Sequence, residues 1–522
     1  MTKTNYPALF GTLAITAGLL GGGAWYLNKI APGLLGRGDT SSQQTGVTPR
    51  NATQITLLGD TFSGYSTFRN TAFQTVLADT GLTLTYGDEF DQTARAEALD
   101  QGTADIIVTT LDQYVQQQPQ GKIVGLIDRT IGADAVVLNT LKYPELTSLL
   151  DLGPLLQQSQ SQGQPPKIAF AGDTPSEYLA LVLDTKFDAF NLADFELVRV
   201  ADASEAWSLM QDPQENVAIA VLWEPFVAQA RQQGYTVVLS SNDAPNSIVD
   251  VIVASDQLVQ SRPEVINTFL KNYYRRIDAN VRDASQLQAQ IAEDGALSPA
   301  DAGAVLQGID FFTAAEAQAW MTDGTLQRRI EAIAAVLVLS GRLNDVPSSP
   351  ETLFTEAHLQ EAAQNTQTLI DLVRSDNPDL AERLAGSTEQ TLVVPQVTAA
   401  EVQAAPDIGN LDVQGKVEFG TGSAQLTAAG QQTLQGLTQE IQEFNPETVA
   451  VRVIGHTSRT GSADLNQQLS QERAQVVVDY LRSQGLQHNI VAEGKGFYLP
   501  LSGVDPADPQ QQRTEIRLVR VN

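Results

Sequence analysis

The stretch GHTSRTGSADLNQQLSQERA, residues 455–474, decides the fold of the C-terminal part of this chain. It follows Val449, Val451 and Val453, whose period of two marks a strand with one face buried. The strand is expected to end at Ile454, and the polar turn after it presents Thr457 and Ser458. A helix opens near Ser462, whose hydroxyl suits the free N–H groups of a first turn. That helix carries Asn466 and Arg473 about two turns apart on one side. Hydroxyl, amide and guanidinium donors then surround one cleft, an arrangement that suits a carboxylate-bearing ligand.

Working outward, Leu434, Leu437, Ile441 and Phe444 recur at spacings of three and four, giving one apolar helix face. Ala474, Val477, Val478 and Leu481 form a second stripe. Strand-like runs at 416–419, 490–492 and 514–521 complete the order βαβαββ, which fits a small α/β sandwich. Upstream, residues 387–413 are dominated by Thr, Val, Ala, Gln and Pro without any period and read as a partly extended linker.

Residues 53–386 show a different rhythm. Short apolar runs at 55–58, 82–86, 105–108, 123–127, 135–138, 168–170, 217–222 and 237–239 alternate with segments of helical length such as 66–78, 177–187 and 224–233. The alternation argues α/β architecture with largely parallel sheets. A strand at 248–254 follows, and a long helical region begins at Pro263. Open α/β sheets bind ligands beyond the carboxyl ends of their strands. The candidate ligand groups are therefore Asp60, Ser63, Gly64, Tyr65 and Ser66 after the first strand, Thr109 and Asp112 after the third, Ser176, and Trp223 with Glu224. Gly64 lets backbone approach a ligand, Tyr65 can stack, and the helix start can hold an anion. Ser66 serves equally well as a helix cap and Gly64 as a turn residue. The loop carboxylates Asp60, Asp88, Asp112, Asp134 and Glu224 outnumber Arg69 and Arg129, which favours a ligand with a cationic or zwitterionic part over a pure anion.

At 522 residues the chain exceeds one hydrophobic core, since domains average about 150 residues. Its 61 acidic residues against 32 basic ones, a net charge of -29, work against nucleic-acid binding, which needs clustered Lys and Arg. Without cysteine there is no disulfide, no thiolate nucleophile and no Cys zinc site. No metal and no cofactor are expected. After Lys3, residues 8–27 carry no charge and at 1.5 Å each would span roughly 30 Å, a bilayer core. An N-terminal transmembrane helix is expected there, within an anchor of residues 1–30 followed by a flexible spacer at 31–52 rich in Gly, Ser, Thr and Gln. A cleaved signal peptide is the competing reading, but Trp25, Tyr26, Leu27, Asn28 and Lys29 lack the small-x-small pattern of a cleavage site.

The 455–474 stretch, with VEFGTGSAQLT before it and GKGFYLP and RTEIRL after it, resembles the peptidoglycan-binding core of the OmpA/MotB family over residues 414–522. The resemblance implies a cleft for diaminopimelate of the peptidoglycan stem peptide, gripped by an aspartate just after GHT and an arginine on the following helix. The arginine maps to Arg473, whereas Ser458 stands at the aspartate position. Gln512 stands where the first of a tandem arginine pair is usual, leaving Arg513. The peptidoglycan-binding set is thus Thr457, Ser458, Asn466, Arg473 and Arg513, with a weakened or altered grip. His456 is expected to close the strand and bond locally.

Within residues 53–386, the stretch from about 53 to 364 resembles periplasmic solute-binding proteins of the nitrate, sulfonate and thiamine-precursor uptake type. GTADIIVTT, AIAVLWEPFVAQARQQGYTVVLSS, IVDVIVASDQLVQSRPEVINTFL and LSGRLNDVPSSPETLFTEAHL carry the resemblance. It implies two α/β lobes joined by crossing strands, the type II arrangement, with a small-molecule solute between them and an ABC permease as a candidate partner. The expected fold class is therefore α/β, with an N-terminal transmembrane helix, a two-lobed periplasmic-binding-protein fold and a C-terminal OmpA-like sandwich. The expected function is solute binding in the periplasm by a protein fixed to peptidoglycan and held at the inner membrane; the alternative is a structural envelope tether with a degenerate solute-binding domain. Pyrimidine-synthesising enzymes share this fold, but His358, His456 and His488 are the only histidines and none lies on a cleft loop, so no catalytic residue is assigned.

Overall fold

A computed structural model describes residues 53–521 apart from 225, 246, 387–393, 414–415 and 421. Among the described residues no helix is long and apolar enough to cross a membrane. The expected fold class is corrected accordingly: the architecture is mixed α/β without a supported transmembrane helix. The apolar run at 8–27, on which that helix rested, lies outside the described residues. The two longest described helices, Pro263–Arg282 and Ala463–Ser483, bury one face and carry Lys, Arg, Asp or Glu along the other, as helices on a water-facing domain do.

The middle of the chain builds two sheets. Strands β1 (Thr53–Gly59), β2 (Leu82–Asp88), β3 (Ile106–Thr110) and β4 (Gly121–Thr130) belong to the first. The chain crosses into a second sheet of β5 (Asp134–Leu138), β6 (Lys167–Ala171), β7 (Glu196–Val200), β8 (Val217–Trp223) and β9 (Thr236–Ser240). It returns to the first with β10 (Val249–Ser255) and later adds β11 (Ile309–Phe311). The sheet orders are β11-β4-β10-β3-β1-β2 and β7-β6-β8-β5-β9. Both are mixed where largely parallel sheets were expected, because the returning β10 runs antiparallel to β3 and β4, and β5 runs antiparallel to β8 and β9.

Every residue of β3 and of β5 is buried, so these runs read as continuous apolar strands rather than alternating ones. Helix α1 (Leu111–Gln117) leaves the end of β3, and α2 (Pro175–Lys186) starts just after β6 with Pro175 in its first turn, where the missing N–H costs nothing. The long α3 (Pro263–Arg282) is held to the first lobe by Tyr273, stacked on Phe68 with ring centroids 4.9 Å apart, and by Phe269. Each such side chain removed from water contributes about 1.5–3 kcal/mol.

The C-terminal domain runs β12 (Asp407–Asn410), α4 (Ala428–Gln442), β13 (Val449–Gly455), α5 (Ala463–Ser483), β14 (Ile490–Gly494) and β15 (Thr514–Arg520), with sheet order β12-β15-β13-β14. Both expected apolar stripes are buried: Leu434, Leu437 and Ile441 on α4, and Ala474, Val477, Val478 and Leu481 on α5. The first strand differs from the expectation. Residues 416–418 are irregular and Phe419 makes a single bridge to Leu426, while β12 supplies the edge strand, pairing antiparallel with β15. The four residues DIGN carry no apolar alternation of their own, so their strand exists through its pairing and through the fully buried Ile408. A helix at Ala399–Ala404, begun by a Thr398–Glu401 capping box, precedes it.

This domain packs on the second lobe. Phe444 meets Phe187 edge to face at 6.2 Å, Lys186 pairs with Glu443 at 3.4 Å, and the Asp188 N–H donates to the Asn410 carbonyl at 3.2 Å. Arg520 forms an ion pair with the buried Asp243 on the segment between β9 and β10.

Candidate functional site

Two polar sites emerge. In the first, the register brings strand ends together: Asp250 lies opposite Thr110, and Asp134 opposite Trp223. The carboxyl edges of β1, β3 and β4 and the start of β10 thus share one rim of the first sheet, at the crossings into the second. Asp60 accepts from the Arg95 guanidinium at 2.8 Å and from the Phe62 N–H at 2.9 Å. Tyr65 is buried, its ring edge-on to Phe62 at 5.3 Å and its hydroxyl donating to Asp250. Burial and the Asp250 carboxylate push the Tyr65 phenol well up. Gly64 permits this packing, since a Cβ there would lie 2.2 Å from Asp128 Oδ2 and 2.5 Å from the Phe62 ring.

The other candidates disperse around this rim. Ser63 is half-buried, and Ser66 accepts from Arg69 at 3.2 Å instead of capping the helix. Thr109 turns to Gln92 at 2.9 Å. Asp112 is buried at the start of α1 and accepts from the Gln113 amide at 3.1 Å. On the second lobe Ser176 reaches Asp134 at 3.4 Å, and Trp223, half-buried, packs on the lobe's outer apolar cluster. Glu224 accepts from the Ala228 N–H at 3.0 Å, stabilising the start of the following helix.

Sequence reasoning missed Asp128, Asp250 and Arg95. Asp128 is fully buried; burial first, and then the Asp250 charge, hold its carboxyl well above the ordinary range. Burial, backed by Asp60, Asp112 and Asp134, raises Asp250 likewise against the hydrogen bond from Tyr65. Burial pushes Asp134 up to about 7, against the hydrogen bond from Ser176. The available signal was an aspartate inside each of two otherwise apolar strand runs, IVGLID and IVDVIVAS.

The second site lies between β13, α5 and β15. Gly455 ends β13 so close to α5 that a Cβ there would stand 2.3 Å from the Ser470 carbonyl oxygen. The turn that follows buries Thr457 and Ser458. Asn466 donates to the Thr460 and Ser462 carbonyls at 2.8 and 3.0 Å, bracing this turn. Arg473 Nε donates to the Ser423 carbonyl at 3.0 Å, Nη1 donates to Gln512 Oε1 at 3.2 Å, and the guanidinium lies 5.1 Å over the Phe419 ring. Gln512 donates in turn to Ser458 at 3.3 Å, so it links the two positions that the sequence singled out. Arg513 turns away, to Glu515 at 2.7 Å and the Leu499 carbonyl at 3.2 Å. His456 Nε2 stands 3.1 Å from Glu515 Oε1. Burial alone would raise the Glu515 carboxyl, but His456 and Arg513 hold it down at about 2. Arg473 makes no ion pair among the described residues, and burial lowers its pKa.

The model of the OmpA family matches residues 418–514. Outer membrane protein A of Shimwellia blattae is 41% identical over 101 residues, 19% of this chain and 42% of that protein. The chain spans half or less of the length of the curated relatives it first matches. Among solved structures, the periplasmic aliphatic sulphonate binding protein SsuA from Escherichia coli is similar over 59% of this chain and 96% of its own, at 14% identity and a TM-score of 0.43. The periplasmic nitrate-binding protein NrtA from Synechocystis PCC 6803 is similar over 60% and 88%, at 13% identity and a TM-score of 0.44. The C-terminal part of this chain thus carries an OmpA domain, matched over residues 418–514.

Proposed function

We propose that this chain is a non-enzymatic binding protein of the cell envelope, gripping peptidoglycan through its C-terminal domain and holding a small solute between the lobes of its middle domain. The observation that carries the reading is Arg473, buried, held in place by Ser423 and Gln512, and without a carboxylate partner among the described residues. Its Nη2 makes no hydrogen bond there and remains for a ligand. A stem-peptide carboxylate would supply the missing charge, and charge-assisted bonds of this kind contribute about 1.5–3 kcal/mol. With Ser458 and Gln512 in these places, no carboxylate among the described residues pairs with Arg473 or is left beside it for the peptide's ammonium, so the grip falls on the carboxylate end.

The solute-binding half is supported by the meeting of strand ends at the crossings between the sheets, where α/β folds take their ligands. An ABC permease is the partner this reading implies for the solute, to be sought by crosslinking in cells. The wall-binding half is tested by sedimenting the full chain with purified sacculi. The unmodified chain should pellet, Arg473→Ala should stay in solution, and Arg473→Lys, a point charge without the planar fork, should pellet in part. Equal sedimentation of Arg473→Ala and the unmodified chain would remove the wall-binding assignment.

A further inference from the structure

The groups gathered at the inter-lobe crossings are chiefly buried carboxylates with unpartnered oxygens, accompanied by the hydroxyls of Thr110 and Tyr273. Asp128 is fully buried and neither carboxylate oxygen has a partner among the described residues. Asp250 gives one oxygen to Tyr65 and keeps Oδ2 without a partner. Asp112 keeps Oδ1, and beside it the amide oxygen of Gln113, a residue only 4% exposed, also lacks a donor while its nitrogen is spent on Asp112. From the second lobe Asp134 brings a buried carboxylate with one long contact to Ser176, at 3.4 Å.

Three neighbouring cations are committed elsewhere. Arg95 serves Asp60, Arg129 serves Asp310 and Glu316, and Arg69 serves Asp294. Arg329 forms no ion pair with these carboxylates among the described residues, and its Nε is buried without a partner. Carboxylates from both lobes therefore press on Asp250 without a counter-charge. Buried polar groups are as a rule satisfied, so a set of this kind calls for a donor from outside the chain.

Resting on the solute-binding reading above, we infer that the cleft takes a small organic cation with a primary ammonium group, received by Asp128 and Asp250 of the first lobe and Asp134 of the second. An ammonium brings three N–H donors and no acceptor, the complement of this set. An oxyanion would bring further acceptors and like charge to a site built around carboxylates. Gly64 brings its backbone close against the Asp128 carboxylate, where any side chain would clash.

The test is isothermal titration calorimetry of the full chain with 1,4-diaminobutane, its uncharged analogue 1,4-butanediol, methanesulfonate and nitrate. The diamine should bind saturably and the other three should not. Asp250→Asn and Asp134→Asn, both isosteric and placed on opposite lobes, should each weaken the diamine by roughly tenfold or more. Thermal melting verifies that both variants are folded. Binding of methanesulfonate or nitrate that both variants retain would leave the solute-binding reading standing and overturn the cation. Diamine binding unchanged in both variants would overturn the assigned site. Failure of all four probes would overturn the inference and the solute-binding reading together.

Discussion

Asp134→Asn should make the protein more stable, and only above acid pH. The wild-type carboxyl is raised by burial from the ordinary 3.8 to about 7. That gap is about three pH units, and at about 1.4 kcal/mol each it disfavours the charged form by about 4 kcal/mol. Relaxation and water penetration reduce such values, so about 2 kcal/mol is the expectation. The sign follows from linkage: a raised carboxyl means that the folded state holds its proton more tightly than the unfolded state, so stability falls as pH rises from about 4 to about 7 and is level beyond. Asparagine keeps an oxygen for Ser176 and leaves the bond from its own backbone N–H to the Ser241 hydroxyl untouched, while removing the charge. Thermal unfolding followed by tryptophan fluorescence suits the site, since Trp223 pairs with Asp134 across β5 and β8. The variant should melt about 2–3 °C higher at pH 8 and almost with the wild type at pH 4. A variant that gains nothing at pH 8, or gains as much at pH 4, would refute the reasoning.

Gly64→Ala should destabilise the first lobe by about 1–3 kcal/mol, read as a lower denaturant midpoint, because its methyl would meet Asp128 Oδ2 and the Phe62 ring. Glu515→Gln should cost the C-terminal domain about 2–3 kcal/mol at pH 7; the depressed Glu515 carboxyl contributes stability above its unfolded value near 4.5 that is lost as pH falls through about 2, so urea midpoints of variant and wild type should converge in strong acid. Ser458→Asp places a carboxylate within reach of Gln512 and should pull more protein down with sacculi by roughly tenfold, an increase that Arg473→Ala should abolish.

The C-terminal domain was readable in advance because its signals are local. The alternation of Val449, Val451 and Val453, the hydroxyl at Ser462 and the two apolar stripes are each set within one or two turns of chain, and all became β13, a helix cap, α4 and α5. Most strands of the middle domain were found for the same reason, each being a short apolar run between breakers, whereas β7, largely exposed, and the three-residue β11 were not. Asp60 and Tyr65 were found as loop residues, although nothing local said that the Tyr65 hydroxyl would seek Asp250, 185 positions away. Asp128 and Asp250 sit inside runs whose period says only strand, and they become neighbours because β10 returns antiparallel beside β4. Gln512 reads in sequence as a missing arginine, and only the folded domain places it between Ser458 and Arg473. The edge strand β12 has no pattern of its own and takes its conformation from β15. Periodicity, capping and turn chemistry act over a few residues and so determine elements from sequence alone. The partner of a buried charge and the pairing of an edge strand depend on which distant segments the topology brings into contact, and for this protein the tertiary structure alone decided them.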